Sequence, residues 1–171
     1  MIWGPLALLV GKVAKTAYER YSERQTHAPP QLRASQDFGE IARSLASYTG
    51  IRLLSSKPTR AGFETQYEGV GYIATLVLRG DQCSLCVCSN VLFSNGCVPA
   101  LVHRMIEDVS RRFGTEGLGT FDLAEGTCVF IEGTGPISEL NPSSFAKSVQ
   151  DMTCIIAGFD KVLVSHGYRR S

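Results

Sequence analysis

Several features that would announce a function are missing from this chain. Charge of one sign is the first: 17 Lys and Arg against 16 Asp and Glu leave a formal net charge of +1. That balance gives no electrostatic footprint for nucleic acid or an anionic surface. The basic pairs Arg111-Arg112 and Arg169-Arg170 each close a predicted helix, where cations complement the helix dipole. Histidine is scarce, and His27, His103 and His166 fall in three different segments, so no zinc triad is supported. No apolar run approaches the roughly 20 residues of a membrane-spanning helix. The run from Ile2 to Val10 is closed by Lys12 and Lys15, and it lacks the leading charge and small-residue cleavage site of a secretory signal. Phosphate loops are missing too. Gly114, Gly117 and Gly119 reverse the G-x-G-x-x-G spacing and follow a helix instead of a strand. Gly11-Lys12 has neither the upstream glycine nor the downstream hydroxyl of a P-loop.

Cysteine is present in some number, six in all. With no secretion signal and a core that needs no staples, reduced thiols are expected. Cys83-x-x-Cys86-x-Cys88 resembles half of a zinc site, but no second pair follows at a suitable spacing. The three also fall in a predicted strand, where period two sends Cys83 to one face and Cys86 and Cys88 to the other. The expectation is six free thiols, no metal and no cofactor. Cys97, near a helix start that also carries His103, is the one conceivable nucleophile, though no orienting third group is evident.

A chain of 171 residues, 44% hydrophobic and 19% charged, has the profile of one ordinary globular core with an appended segment. The appended segment is residues 1–21. Trp3, Leu6, Val10, Val13, Ala14, Ala17 and Tyr21 recur at helical spacing and predict an amphipathic helix. Residues 22–34, with Pro29-Pro30 and no buried face, read as a linker. The domain then spans residues 35–168. Its first helix is capped by Ser35 or Asp37, carries the stripe Phe38, Ile41, Ala42, Leu45 and Tyr48, and ends at Gly50.

After that the period changes to two. Phe63, Thr65 and Tyr67 alternate with polar neighbours, so this strand has one wet face. Tyr72 to Leu78, apolar on both faces, is expected to be covered on both. Arg79-Gly80-Asp81 is a turn into a third strand from Gln82 to Ser89. A helix entered at Pro99 buries Val102, Met105, Ile106, Val109 and Phe113, with Arg104–Asp108 and Glu107–Arg111 as charge pairs on its outer face. Two short strands, Leu118 to Leu123 and Thr127 to Glu132, precede a long helix started by Asn141-Pro142. Phe145, Val149, Met152, Ile156, Phe159 and Leu163 are its buried stripe, and the helix ends by Gly167. The fold class expected is α+β: an antiparallel five-stranded sheet in α-βββ-α-ββ-α order, plus the N-terminal amphipathic helix.

From Ser35 to Gly167 this order, the Gly96-Cys97-Val98-Pro99 entry to the middle helix and the Asn141-Pro142 helix start resemble the type III secretion chaperone-like fold shared by YbjN-type bacterial regulators. The resemblance implies a cytoplasmic, non-enzymatic protein that binds other proteins, in many cases as a homodimer. The chain departs from it in being near neutral, where secretion chaperones are acidic, and in carrying the N-terminal segment. Two other readings stand beside it: a peripheral membrane protein held by residues 1–21, and a thiol enzyme using Cys97. The partner-binding candidates are Trp3, Leu6, Val10, Val13, Ala17, Tyr18 and Tyr21, in a homodimer or against a partner helix, since aromatic residues are enriched in interfaces.

Overall fold

In the computed structural model, which describes residues 37–94, 97–113 and 117–171, all strands join one antiparallel sheet. Helix α1 (Phe38–Thr49) leads into β1 (Arg52–Lys57), β2 (Arg60–Tyr67), β3 (Val70–Arg79) and β4 (Gln82–Phe93). Helix α2 (Ala100–Phe113) then connects to β5 (Leu118–Leu123) and β6 (Gly126–Pro136), and α3 (Pro142–Ser165) follows a short 3-10 turn. The spatial order is β1-β2-β3-β4-β6-β5. The sheet therefore has six strands, not the expected five, and the element order is α-ββββ-α-ββ-α. The missed strand is β1, Arg-Leu-Leu-Ser-Ser-Lys, which is mostly exposed and bulged against β2, so it shows no alternation to detect.

Local chemistry explains the connections. Tyr67 pairs with Val70 across Glu68 and Gly69, both at positive φ, which is the tight turn that matches strand twist. Gly80 at φ 66° turns β3 into β4 within the expected Arg-Gly-Asp tripeptide. Asn141 caps α3 through a reciprocal box with Ser144, with Pro142 in the first turn.

One face of the sheet carries the helices. From α3, Phe145, Val149, Ile156, Phe159 and Leu163 are all buried, as the stripe predicts, and Met152 is half-buried. The Phe145 ring lies 4.8 Å from that of Phe63 on β2. Helix α1 adds Phe38, Ile41, Ala42 and Leu45, and α2 adds Val102, Met105 and Val109. Burying side chains of this size contributes about 1.5–3 kcal/mol each. Two details of the sequence reading are corrected. Tyr48 is exposed, because the α1 stripe runs off the sheet edge in its last turn. On α2, Asp108 pairs with Arg111 three residues on, at 3.7 Å, instead of with Arg104. The N-terminal segment and the linker lie outside the described residues, as does the Gly114 end of the glycine-rich stretch.

Candidate functional site

Strand alternation sorts the side chains of β2 to β6 into two sets. Phe63, Ala74, Leu76, Leu85, Val87 and Ile131 face the helices and are buried. The opposite set includes Ile73, Cys86, Cys88, Leu92, Phe130, Phe121 and Leu123, and no described helix covers it. Ile73 is 57% exposed and Phe121 54%, with the Phe121 and Phe130 rings edge to face at 6.2 Å. The expectation that both faces of β3 are covered is thus not met among the described residues. Exposed apolar side chains concentrated on one sheet face mark an interaction surface more often than chance scatter does. Ile73, Cys88, Leu92 and Leu123 line a groove on this face of about 350 Å³, with Asn90, Glu125 and Ser171 at its polar end.

The wall of the groove depends on a break in the ladder. Cys88 pairs with Phe130, yet the next pair is Leu92 with Cys128, so residues 89–91 bulge out of β4. Asp160, fully buried on α3, holds that bulge. It accepts the Ser89 hydroxyl and the Asn90 backbone N–H, the latter at 3.1 Å. Burial pushes the Asp160 carboxyl above its ordinary value, opposed by the donors from Ser89, Asn90 and Tyr72. Burial beside this carboxylate likewise raises the Tyr72 phenol. From the far side Asn90 donates to the Gly71 carbonyl at 2.8 Å, while Ser171 donates its backbone N–H to the Asn90 carbonyl at 2.7 Å. Helix α3, strand β3 and the C-terminal residues thus meet on three residues of β4.

The bulge also assembles thiols. The sequence separates Cys83 from Cys86 and Cys88, and the structure agrees: Cys83 faces the helices and donates to the Gly135 carbonyl. Cys86 and Cys88 share the open face with their sulfurs 3.9 Å apart. Sequence reasoning missed the third member, Cys128 of β6, buried and placed by the register on the same face, diagonal to Cys88. Its sequence distance of forty residues hid it; only the strand register brings it there. Hydrogen bonds from the Cys128 and Cys86 thiols hold Cys88 below the usual thiol range, with Arg60 adding a favourable charge. Cys86 and Cys128 are correspondingly pushed up as the donors. Among the described residues no group of three or more His, Cys, Asp or Glu is placed to hold a metal ion.

The remaining candidates separate. Cys97 and His103 are both exposed, and no hydrogen bond joins them. Trp3, Leu6, Val10, Val13, Ala17, Tyr18 and Tyr21 lie outside the described residues. No helix among the described residues is long and apolar enough to cross a membrane. A second, polar pocket of about 160 Å³ lies by Tyr67, Glu68, Lys161 and Arg170. There Lys161 is tied to Glu68 at 2.6 Å, and burial pushes the Tyr67 phenol up to about 12.

No family model and no curated protein matches this chain. Its fold does have solved counterparts. A chain of the ExsC–ExsE complex is 15% identical, with 75% of this chain covering 97% of that one at a TM-score of 0.52. YbjN from E. coli is 12% identical, with 82% of this chain covering 98% of it at a TM-score of 0.48. The fold-level resemblance expected from the element order is therefore borne out.

Proposed function

We propose that this chain is a cytoplasmic, non-enzymatic protein-binding module, chaperone-like or regulatory, that seats an amphipathic helix on the open face of its sheet. The occupant is residues 1–21 of a second copy, which makes the protein a homodimer. The observation that carries this reading is the exposed apolar set on one sheet face, Ile73, Phe121 and Leu123 above all. The shared fold with a chain crystallised in the ExsC–ExsE complex supports protein binding in general.

Dimensions support the occupant. A helix of residues 1–21 is about 32 Å long, and six strands at about 4.8 Å spacing make a sheet about 24 Å wide. A linker of residues 22–34 reaches up to about 45 Å, enough to leave α1 on the covered face and pass to a neighbour's open face. The stripe Trp3, Leu6, Val10, Val13 and Ala17, flanked by Tyr18 and Tyr21, then meets Ile73, Leu92 and Leu123.

Light scattering on the full-length chain and on one starting at Ser35 tests the reading. A dimer for the first and a monomer for the second is expected. Two monomers of equal solubility would overturn the homodimer. Co-sedimentation of only the longer chain with liposomes would assign residues 1–21 to a membrane surface instead.

A further inference from the structure

The groove on the open face is too small for a helix and large enough for one bulky side chain. At about 350 Å³ it lies near the lower end of the roughly 300–1,000 Å³ range of ligand pockets. Ile73, Cys88, Leu92 and Leu123 make its bed apolar. Its far end offers acceptors. Glu125 has no hydrogen-bond or ion-pair partner among the described residues. Asn90 spends its amide nitrogen on the Gly71 carbonyl and keeps its amide oxygen for a donor. The fitting occupant is a broad apolar body with a hydrogen-bond donor on its edge.

Among residues 1–21, Trp3, Tyr18 and Tyr21 have that form. The indole N–H only donates, which matches a groove end made of acceptors, whereas a phenol also accepts. Neighbours separate the three further. Residues 1–11 carry no charged side chain, so the chain around Trp3 can follow its ring onto the apolar face without burying a charge. Tyr18 and Tyr21 are flanked by Glu19, Arg20 and Glu23, and seating either one would bring carboxylates beside Glu125.

We propose that this groove is the seat of the Trp3 indole of a second copy, with the ring against Leu92 and Leu123 and the N–H toward the Glu125 carboxylate. The inference rests on the homodimer reading above and names its anchor. In the helix proposed for residues 1–21, Leu6 and Val10 then fall about 4.5 and 10.5 Å further along the axis, in reach of the Phe121 and Phe130 rings. A buried tryptophan ringed by such contacts is the usual form of an interface hot spot.

Trp3 is the single tryptophan of the chain, so its emission reports the contact in the full-length protein. Light scattering and fluorescence are followed on one dilution series. The expected result is a dimer whose emission is shifted to shorter wavelength and resists acrylamide, both effects fading together as dilution separates the copies. Trp3→Ala should weaken the dimer by about 30-fold or more. Leu123→Arg, at an exposed position in the groove wall, should weaken the dimer and return the emission to that of a solvated indole. Thr134→Arg, exposed on β6 away from the groove, should leave the shifted emission intact. A dimer whose indole stays solvated would overturn the anchor and leave the homodimer standing. Shielding that Leu123→Arg does not relieve would also overturn the anchor. A monomer with a solvated indole at every concentration would overturn both. A monomer whose shielded indole is exposed by Leu123→Arg would overturn the second copy and place Trp3 in the groove of its own chain.

Discussion

On β3, Tyr72, Ala74 and Leu76 are at most 2% exposed, whereas Ile73 between them is 57% exposed. Both sets are apolar, so composition does not separate them. What separates them is that α1, α2 and α3 all contribute to the core on one side of the sheet and leave the other bare among the described residues. The covered face is packed with large side chains and holds the stability of the domain. The open face carries the groove, the bulge and the thiols, and its apolar groups contribute little to folding while they face water. A fold built this way splits its labour by strand parity, and substitutions one residue apart should report on different properties.

The largest expected effect breaks the covered face. Phe159→Ala removes a fully buried ring of α3 and should destabilise the domain by about 3–5 kcal/mol, read as a lowered urea midpoint. Next comes the tie between the faces. Asp160→Ala leaves the Ser89 hydroxyl and Asn90 N–H without their acceptor and should cost about 3 kcal/mol, with loss of amide protection at residues 89–91.

Asp160→Asn isolates the charge. Because burial raises the folded-state value of Asp160, its contribution to stability is fullest below the ordinary carboxylate value and is lost as pH rises through the raised one. Wild type should therefore lose stability relative to Asp160→Asn as pH increases from about 4, and parallel urea midpoints across that range would contradict the sign. Smaller still, Asn141→Ala removes the cap of the covering helix and should cost about 1 kcal/mol, visible as a modest drop in melting temperature. The smallest effect sharpens the contrast. Ile73→Ser, next to two core residues, should change stability by no more than about 0.5 kcal/mol. Light scattering should nevertheless show weaker self-association.

How much of this was readable in the residues follows the same division. Asn141-Pro142 and the stripe from Phe145 to Leu163 declared α3, because capping and period 3.6 are local. Alternation correctly placed Cys83 apart from Cys86 and Cys88. Strand β1 escaped because Arg52 to Lys57 is an exposed, bulged edge with no alternating pattern. Tyr48 was misplaced because helical spacing shows which residues share a stripe and not where the sheet beneath it stops. Cys128 joined the thiols, and Asp160 the bulge, through contacts 40 and 71 residues apart in sequence, which no window of local pattern contains. The bare face is the same kind of case. Period two shows which side chains share a face, but whether anything lies over them is decided by distant elements.

The position of α3 in the chain has a consequence in time. It follows all six strands, yet it supplies the stripe that covers β2, β4 and β6 and the carboxylate that clamps residues 89–91. A ribosome adding about 5–20 residues each second therefore releases a sheet whose inner side stays unfinished for the seconds in which α3 is made. Contacts this far apart in sequence also slow folding in a free chain, because the loop entropy is lost before the packing is gained. The protein should be most prone to aggregate between the emergence of β6 and the docking of Phe145, Ile156 and Phe159. Nascent chains arrested before Asn141 should accordingly be far more sensitive to protease than chains arrested well past Gly167.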